Sequence, residues 1–509
     1  MSRRRADPGA GDPPRRGWPG RGGGSSVVVQ APDEWRSTTV QACGLWPFAA
    51  GSGTPMTGVP LGRNLLTGAT LCCDPISWFQ RAGLISSPSA FVLGKPGVGK
   101  STVVRRMALG LAGYGVLPLV LGDLKPDYVD LVEAIGGQVI TLGPGRGHLN
   151  VLDPGEAATA ARRLTGEARR RMLADAHGRR QAIVSALITV MRSAPPTDRE
   201  ETVLDRALRV LDDQSESGRL RTPTLRDLLG VLRDAPEDVR AAALDRGDRA
   251  RYDDVTEDLE ATLVGLTGGG RLGRIFAEPT TTPMRRDAPV AFDVSSVDDA
   301  QGDLQAAVLL ACWSYGFGTV SVAQGLADAG VEPRRHYFVV LDELWRALRA
   351  GRGMVDRIDA LTRLNRQRGV GTVMVSHTMS DLLALPSEED RMKARGFVER
   401  SGLVICGGLP SAEMPMLDSA VRLSRAEQEL LVGWQDPPAW DAGGGAQTGP
   451  PGRGRFLVKV GGRPGIPVQV QLTAVEREIN DTDKRWRQLS RGADEVVGSG
   501  EALEGPAVG

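Results

Sequence analysis

The chain has 509 residues, 41% of them hydrophobic and 24% charged, enough for two or three domains around at least one large core. Its 62 basic and 62 acidic side chains cancel, which argues against a protein coated along its length by nucleic acid. Cys43, Cys72, Cys73, Cys312 and Cys406 make no C-x-x-C pair and no metal-site spacing. Small buried thiols in a reducing cytoplasm are therefore expected, rather than a disulfide framework or a zinc module.

Residues 1–30 are rich in Arg, Gly and Pro with few apolar anchors, which predicts a disordered tail. Arg3, Arg4, Arg5, Arg15 and Arg16 are read as solvated, with contact to DNA or to an acidic membrane face as the alternative. The tail lacks the apolar stretch of a secretory signal. Residues 31–89 hold short apolar pieces broken by Gly and Pro, such as Gly58-Val-Pro-Leu-Gly, and read as a short β-rich segment.

A nucleotide-type domain is expected over 90–153 and 266–434. Ala90-Phe91-Val92-Leu93 reads as a buried strand, and the residues after Lys100 carry helical periodicity. Between them Gly94, Lys95, Pro96, Gly97, Val98, Gly99, Lys100, Ser101 and Thr102 match G-x-x-x-x-G-K-[ST] without a mismatch. The glycines let successive amides turn toward an anion, and the helix presents its positive end there. Lys100 is expected on the β- and γ-phosphates and the Ser101 hydroxyl on Mg²⁺, making ATP and Mg²⁺ the expected cofactors. Only six lysines occur in the chain, and Lys95, Lys100 and Lys125 fall within one short stretch.

Val116-Leu-Pro-Leu-Val-Leu-Gly-Asp is the next buried strand, with Asp123 and Lys125 at its C-terminal end. Open α/β sheets bind ligands at that edge, which would put both residues beside the phosphates; a helix-starting turn is the alternative. Gln138 to Leu142 forms a third strand. Over 154–265 glycines thin out and Ala, Leu, Arg, Asp and Glu recur at helical spacing, predicting an all-helical insertion. The sheet resumes at Pro289-Val-Ala-Phe-Asp-Val. The uncharged run Leu304–Ala327 contains Gln305, Ser314 and Thr319 and is read as a buried core helix, not a membrane span.

Tyr337-Phe-Val-Val-Leu ends in Asp342-Glu343, the pattern of a strand that delivers an Mg²⁺-holding Asp and a water-polarising Glu. The next strand ends in Ser376-His377-Thr378, where His377 could report on the γ-phosphate or simply end a strand. A ring-forming ATPase also needs an arginine that reaches a neighbour's site. Arg271, Arg274, Arg366 and Arg368 are the candidates. After a Gly/Pro-rich linker at 435–453, residues 454–490 read as a β-hairpin and helix, and 491–509 as a loose tail. Alternating strands and helices predict an α/β fold with a mainly parallel sheet.

These motifs together resemble the conjugative type IV secretion ATPases (TraC/TraE-like) of the HerA/FtsK group of P-loop motors. The resemblance runs through Leu45-Trp-Pro-Phe, the Gly94 to Ser101 loop, Gly122-Asp-Leu-Lys-Pro-Asp-Tyr and Leu149-Asn-Val-Leu-Asp-Pro. It continues through Gly273-Arg-Ile-Phe, Leu341-Asp-Glu-Leu-Trp, Asn365-Arg-Gln-Arg-Gly and Leu423-Ser-Arg-Ala-Glu-Gln, in the family's order over residues 45–435. It implies a RecA-like P-loop NTPase with a helical insertion and a C-terminal β-hairpin, acting as a homo-hexamer. Its partners would be the channel components of a type IV secretion system and single-stranded DNA. Its place would be cytoplasmic, peripheral to the inner face of the cell membrane. The family's large N-terminal domain is missing here or reduced to the first 89 residues, and its Gln after the sensor strand is replaced by His377. The expected function is an ATP-hydrolysing motor of conjugative DNA transfer. The alternatives are a slow nucleotide-dependent assembly or regulatory module and a DNA-pumping translocase of the coupling-protein kind.

Overall fold

The computed structural model describes residues 54–217, 222–268, 272–298, 301–349, 354–363, 369–436 and 450–479. The arginine-rich tail, Cys43, Leu45-Trp-Pro-Phe, Arg271, Arg366, Arg368, most of the expected linker and everything after 479 lie outside the described residues.

The fold is α/β, built on one eleven-stranded sheet. Its strands are β1 (Pro60–Asn64), β2 (Thr70–Cys72), β3 (Ser89–Leu93), β4 (Leu117–Asp123), β5 (Gln138–Thr141) and β6 (Val290–Asp293). They continue with β7 (Tyr337–Leu341), β8 (Val370–Val375), β9 (Leu403–Cys406), β10 (Arg455–Lys459) and β11 (Ile466–Val470). Across the sheet they run β2-β1-β11-β10-β9-β3-β8-β7-β4-β6-β5.

From β9 to β5 every pairing is parallel. The reason is in the sequence: Tyr337-Phe-Val-Val-Leu and Val370 to Val375 are apolar or small without alternation, and every residue of both is buried. Strands of that kind need helices on both faces, which parallel crossovers supply. From β9 outward the pairings turn antiparallel: Leu457 opposes Cys406, Arg455 opposes Gln469, and Gly62 opposes both Val470 and Leu71. The N-terminal β segment and the C-terminal hairpin are thus one antiparallel wing, although hundreds of residues separate them in the chain.

Between β5 and β6 the described residues form helices and no strand, among them Gly166–Arg192, Asp198–Glu216 and Arg249–Thr267. Thr197 with Glu200 and Thr224 with Asp227 close capping boxes, satisfying amides that the first helical turn leaves without partners. Helix Gly302–Asp328 is long and apolar enough to cross a bilayer, but 78% of its most apolar window is buried inside the fold. It packs closely on β4: a methyl group at Gly122 would stand 2.4 Å from Leu309, and one at Gly316 2.4 Å from Leu121. Cys72, Cys73, Cys312 and Cys406 are buried free thiols. The chain's contacts divide at Gln471. The described part of the shorter unit, residues 472–479, holds the helix Ala474–Ile479, whose first turn Thr473 and Glu476 cap reciprocally.

Candidate nucleotide site

Four adjacent strands, β3, β8, β7 and β4, end at one edge, and each delivers part of the site. The loop after β3 owes its shape to Gly97 (φ 82°) and Gly99 (φ 99°), both in the left-handed region that glycine enters without penalty. It is held from two sides. Gly94 N donates to the His377 carbonyl at 2.9 Å and Lys95 N to the Gly408 carbonyl at 3.1 Å. The Val98 carbonyl accepts from Gly454 N at 2.9 Å, and Lys95 Nζ donates to Gln435 Oε1 at 3.0 Å.

Helix Lys100–Gly113 starts directly from the loop, so its first amides, at Lys100, Ser101 and Thr102, have no partner within the helix. Lys100 is buried, and its ammonium folds back over the loop. Its three protons meet three acceptors: the carbonyls of Gly94 (2.8 Å) and Lys95 (3.2 Å) and His377 Nδ1 (2.9 Å). An ammonium accepts nothing, so Nδ1 of His377 is the acceptor and the imidazole proton sits on Nε2. That nitrogen faces Glu343 Oε2 at 3.3 Å. One imidazole therefore joins the phosphate-loop lysine to the strand-end glutamate.

Glu343 follows β7 in the left-handed region at φ 51°, ψ 37°, costly for a residue with a side chain and common at functional sites. Its Oε1 accepts from Lys125 Nζ at 2.8 Å and its Oε2 from the Trp345 indole at 2.6 Å. Burial alone would raise this carboxyl, but His377 and Lys125 hold it well below the usual carboxylate range. Asp342 beside it is pushed up by removal from water and by the charge of Glu343. The Tyr128 hydroxyl donates to Asp342 Oδ2 at 3.0 Å. Burial lowers Lys100 to about 8, against the attraction of Asp342 and Glu343.

Ser101 Oγ donates to Asp127 Oδ2 at 2.8 Å, which fixes the hydroxyl expected to meet the cation. Asp123 turns its carboxylate to backbone amides. Its carboxylate is buried and accepts the amides of Tyr128 (2.7 Å), Asp127 (3.0 Å) and Lys125 (3.4 Å), the helix-starting turn that was the alternative reading. Burial pushes it up to about 7 against those bonds. Asp123 shapes the turn that carries Lys125, Asp127 and Tyr128.

The structure thus gathers Gly94 to Thr102, Lys125, Asp342, Glu343 and His377 in one place. Arg274 is exposed on the short helix Gly273–Phe276, and it makes no hydrogen bond or ion pair with any of them among the described residues. Sequence reasoning missed Asp127, Tyr128, Trp345 and Gln435. Asp127 and Tyr128 lie in the Gly122 to Tyr128 stretch and Trp345 in Leu341-Asp-Glu-Leu-Trp, so their location was readable although their contacts were not.

The donor set suits a hard cation. Ser101, Asp342 and Asp127 offer only oxygen, and no cluster of three or more His, Cys, Asp or Glu is gathered to hold a metal among the described residues. Mg²⁺ is ordinarily held that way, by one or two protein oxygens with phosphate and water completing the shell.

Among solved structures the chain is similar to VirB4 of Thermoanaerobacter pseudethanolicus, with a TM-score of 0.60 at 19% identity, over 84% of this chain and 100% of that one. The two share a fold. A weaker likeness is to the plasmid coupling protein TrwB in complex with ADP and Mg²⁺, with a TM-score of 0.44 at 14% identity, over 76% of this chain and 86% of that one. No protein-family model matches the chain, and no curated protein matches it.

Proposed function

We propose that the chain binds ATP with Mg²⁺ and hydrolyses it, as the motor of a conjugative type IV secretion apparatus. The observation that carries this reading is the bridge Lys100–His377–Glu343, which wires a phosphate-binding lysine to a carboxylate able to polarise water. The sequence resemblance to conjugative ATPases and the fold shared with VirB4 support the motor assignment.

Lys100, Lys125 and the free amides of the loop and first helical turn bind and orient the phosphates. Ser101 and Asp342 would hold Mg²⁺, with Asp127 fixing the Ser101 hydroxyl; bound there, the ion neutralises charge that develops on the phosphate oxygens. Lys100 exchanges its acceptors on Gly94, Lys95 and His377 for phosphate oxygens. That exchange frees His377 Nδ1 from Lys100; to follow a γ-phosphate oxygen, which only accepts, this nitrogen would have to carry a proton and donate it. Glu343, ionised because its neighbours hold its carboxyl low, orients the water and takes its proton. Arg274, exposed and outside the chain's own cluster, is the described candidate for completing a neighbour's site in a hexameric ring.

One observation favours slow turnover as the second reading: both Glu343 oxygens are engaged by Lys125, Trp345 and His377. A nucleotide-dependent assembly module would have that property. Steady-state ATP hydrolysis by the wild type and Glu343→Gln, each with and without single-stranded DNA, separates the readings. DNA-stimulated turnover supports the translocating motor. DNA-indifferent turnover supports an ATPase that powers channel assembly.

A further inference from the structure

Glu343 carries its charge on a flexible side chain with several rotatable bonds, so something must decide which oxygen faces the water. Three donors hold it, and they differ in what a phosphate would do to them. Lys125 is a half-exposed cation on Oε1. His377 faces Oε2 but is tied to Lys100. Each depends on a lysine for which phosphate competes. The Trp345 indole is an uncharged donor on Oε2 at 2.6 Å, and it competes for no phosphate charge.

The ring of Trp345 is itself clamped. The guanidinium carbons of Arg346 and Arg349 lie 4.8 Å and 4.6 Å from its centroid. Arg349 is anchored to the Asp381 carbonyl at 2.8 Å, and Arg346 donates to Gln305 Oε1 on helix Gly302–Asp328. The indole is thus braced by the helix after β8 and by the core helix beneath β4.

Building on the hydrolysis reading above, we infer that Trp345 is a positioning residue. It keeps Oε2 of Glu343 fixed, so that Oε1 is the oxygen released to polarise water when Lys125 turns to the phosphates. Trp345 touches no reacting atom and acts only through the glutamate.

The test uses the full chain and Trp345→Phe, which keeps a flat aromatic ring for the guanidiniums and removes the N–H together with the five-membered ring that carries it. With ¹⁵N-labelled tryptophan, the signal lost in Trp345→Phe identifies the Trp345 indole among the chain's nine tryptophans. That signal is expected to move upfield in Glu343→Gln, where a neutral amide replaces the carboxylate acceptor. In steady-state ATP hydrolysis Trp345→Phe is expected to lose about tenfold in kcat while KM stays within roughly twofold. An indole signal unchanged in Glu343→Gln overturns the inference. So does a Trp345→Phe protein with wild-type kcat, or one in which KM alone rises. If the wild type hydrolyses no ATP while the indole still responds to Glu343→Gln, the hydrolysis reading falls and the positioning contact stands.

Discussion

Lys125 Nζ lies 2.8 Å from Glu343 Oε1, so the turn after β4 holds by charge the carboxylate that ends β7. The pairing sets the chemical character of the site. A glutamate held that low is ionised at neutral pH, but it is a weak base for as long as the pair lasts. Basicity is recovered when the lysine finds another anion. Phosphate is such an anion, so under the proposed hydrolysis its arrival would activate the glutamate.

The same logic gives Lys100 a pH signature. Burial lowers it to about 8 from 10.5, so in the nucleotide-free protein its charge fades as pH rises past 8. The depressed value favours the folded state above 10.5, and that contribution is lost as pH falls through 8. Phosphate binding needs the charged form. Nucleotide affinity is therefore expected to weaken by up to about tenfold per pH unit above 8, measured by titration with a fluorescent nucleotide between pH 7 and 9.5. Lys100→Ala should bind weakly with a flat profile over that range; a flat wild-type profile contradicts the burial argument.

His377 works in the bridge by accepting at one end and donating at the other. A glutamine side chain has one group of each kind, whereas alanine has neither. His377→Gln is expected to keep hydrolysis within a few-fold of wild type, and His377→Ala to lose about tenfold in kcat. Equal losses in the two variants would show that the imidazole does something the bridge does not require.

Gly122 tests how the site is mounted on the core. Its φ of 118° strains any other residue, and an added methyl group would stand 2.4 Å from Leu309. Gly122→Ala is expected to cost about 1–3 kcal/mol, read as a lower urea midpoint with an unchanged slope. Because Gly122 precedes Asp123, nucleotide affinity should fall with it.

The phosphate loop was legible because its signal is local: a few glycines, a lysine and a serine at fixed spacing between a strand and a helix. The parallel strands were legible because burial on both faces removes polar alternation, as in Tyr337 to Leu341. The antiparallel wing was not readable as one unit, since the pairings of Gly62 with Val470 and of Leu457 with Cys406 depend on long-range closure. Asp123 shows the limit inside the site. A strand-end aspartate looks the same in sequence whether it binds a ligand or caps a turn, and only the amides of Asp127 and Tyr128 decide. Trp345 was hidden for a related reason: its partner sits two residues away, on a backbone turned left-handed at Glu343.

As proposed, Glu343 is the base of an ATPase that Lys100 helps to feed. The direct measurement is ATP binding and steady-state hydrolysis by the wild type and Glu343→Gln under the same conditions. Glu343→Gln is expected to bind ATP as well as the wild type and to turn over at least ~100-fold more slowly, the effect of losing a positioned base. A Glu343→Gln protein that binds ATP and hydrolyses it at the wild-type rate would contradict it.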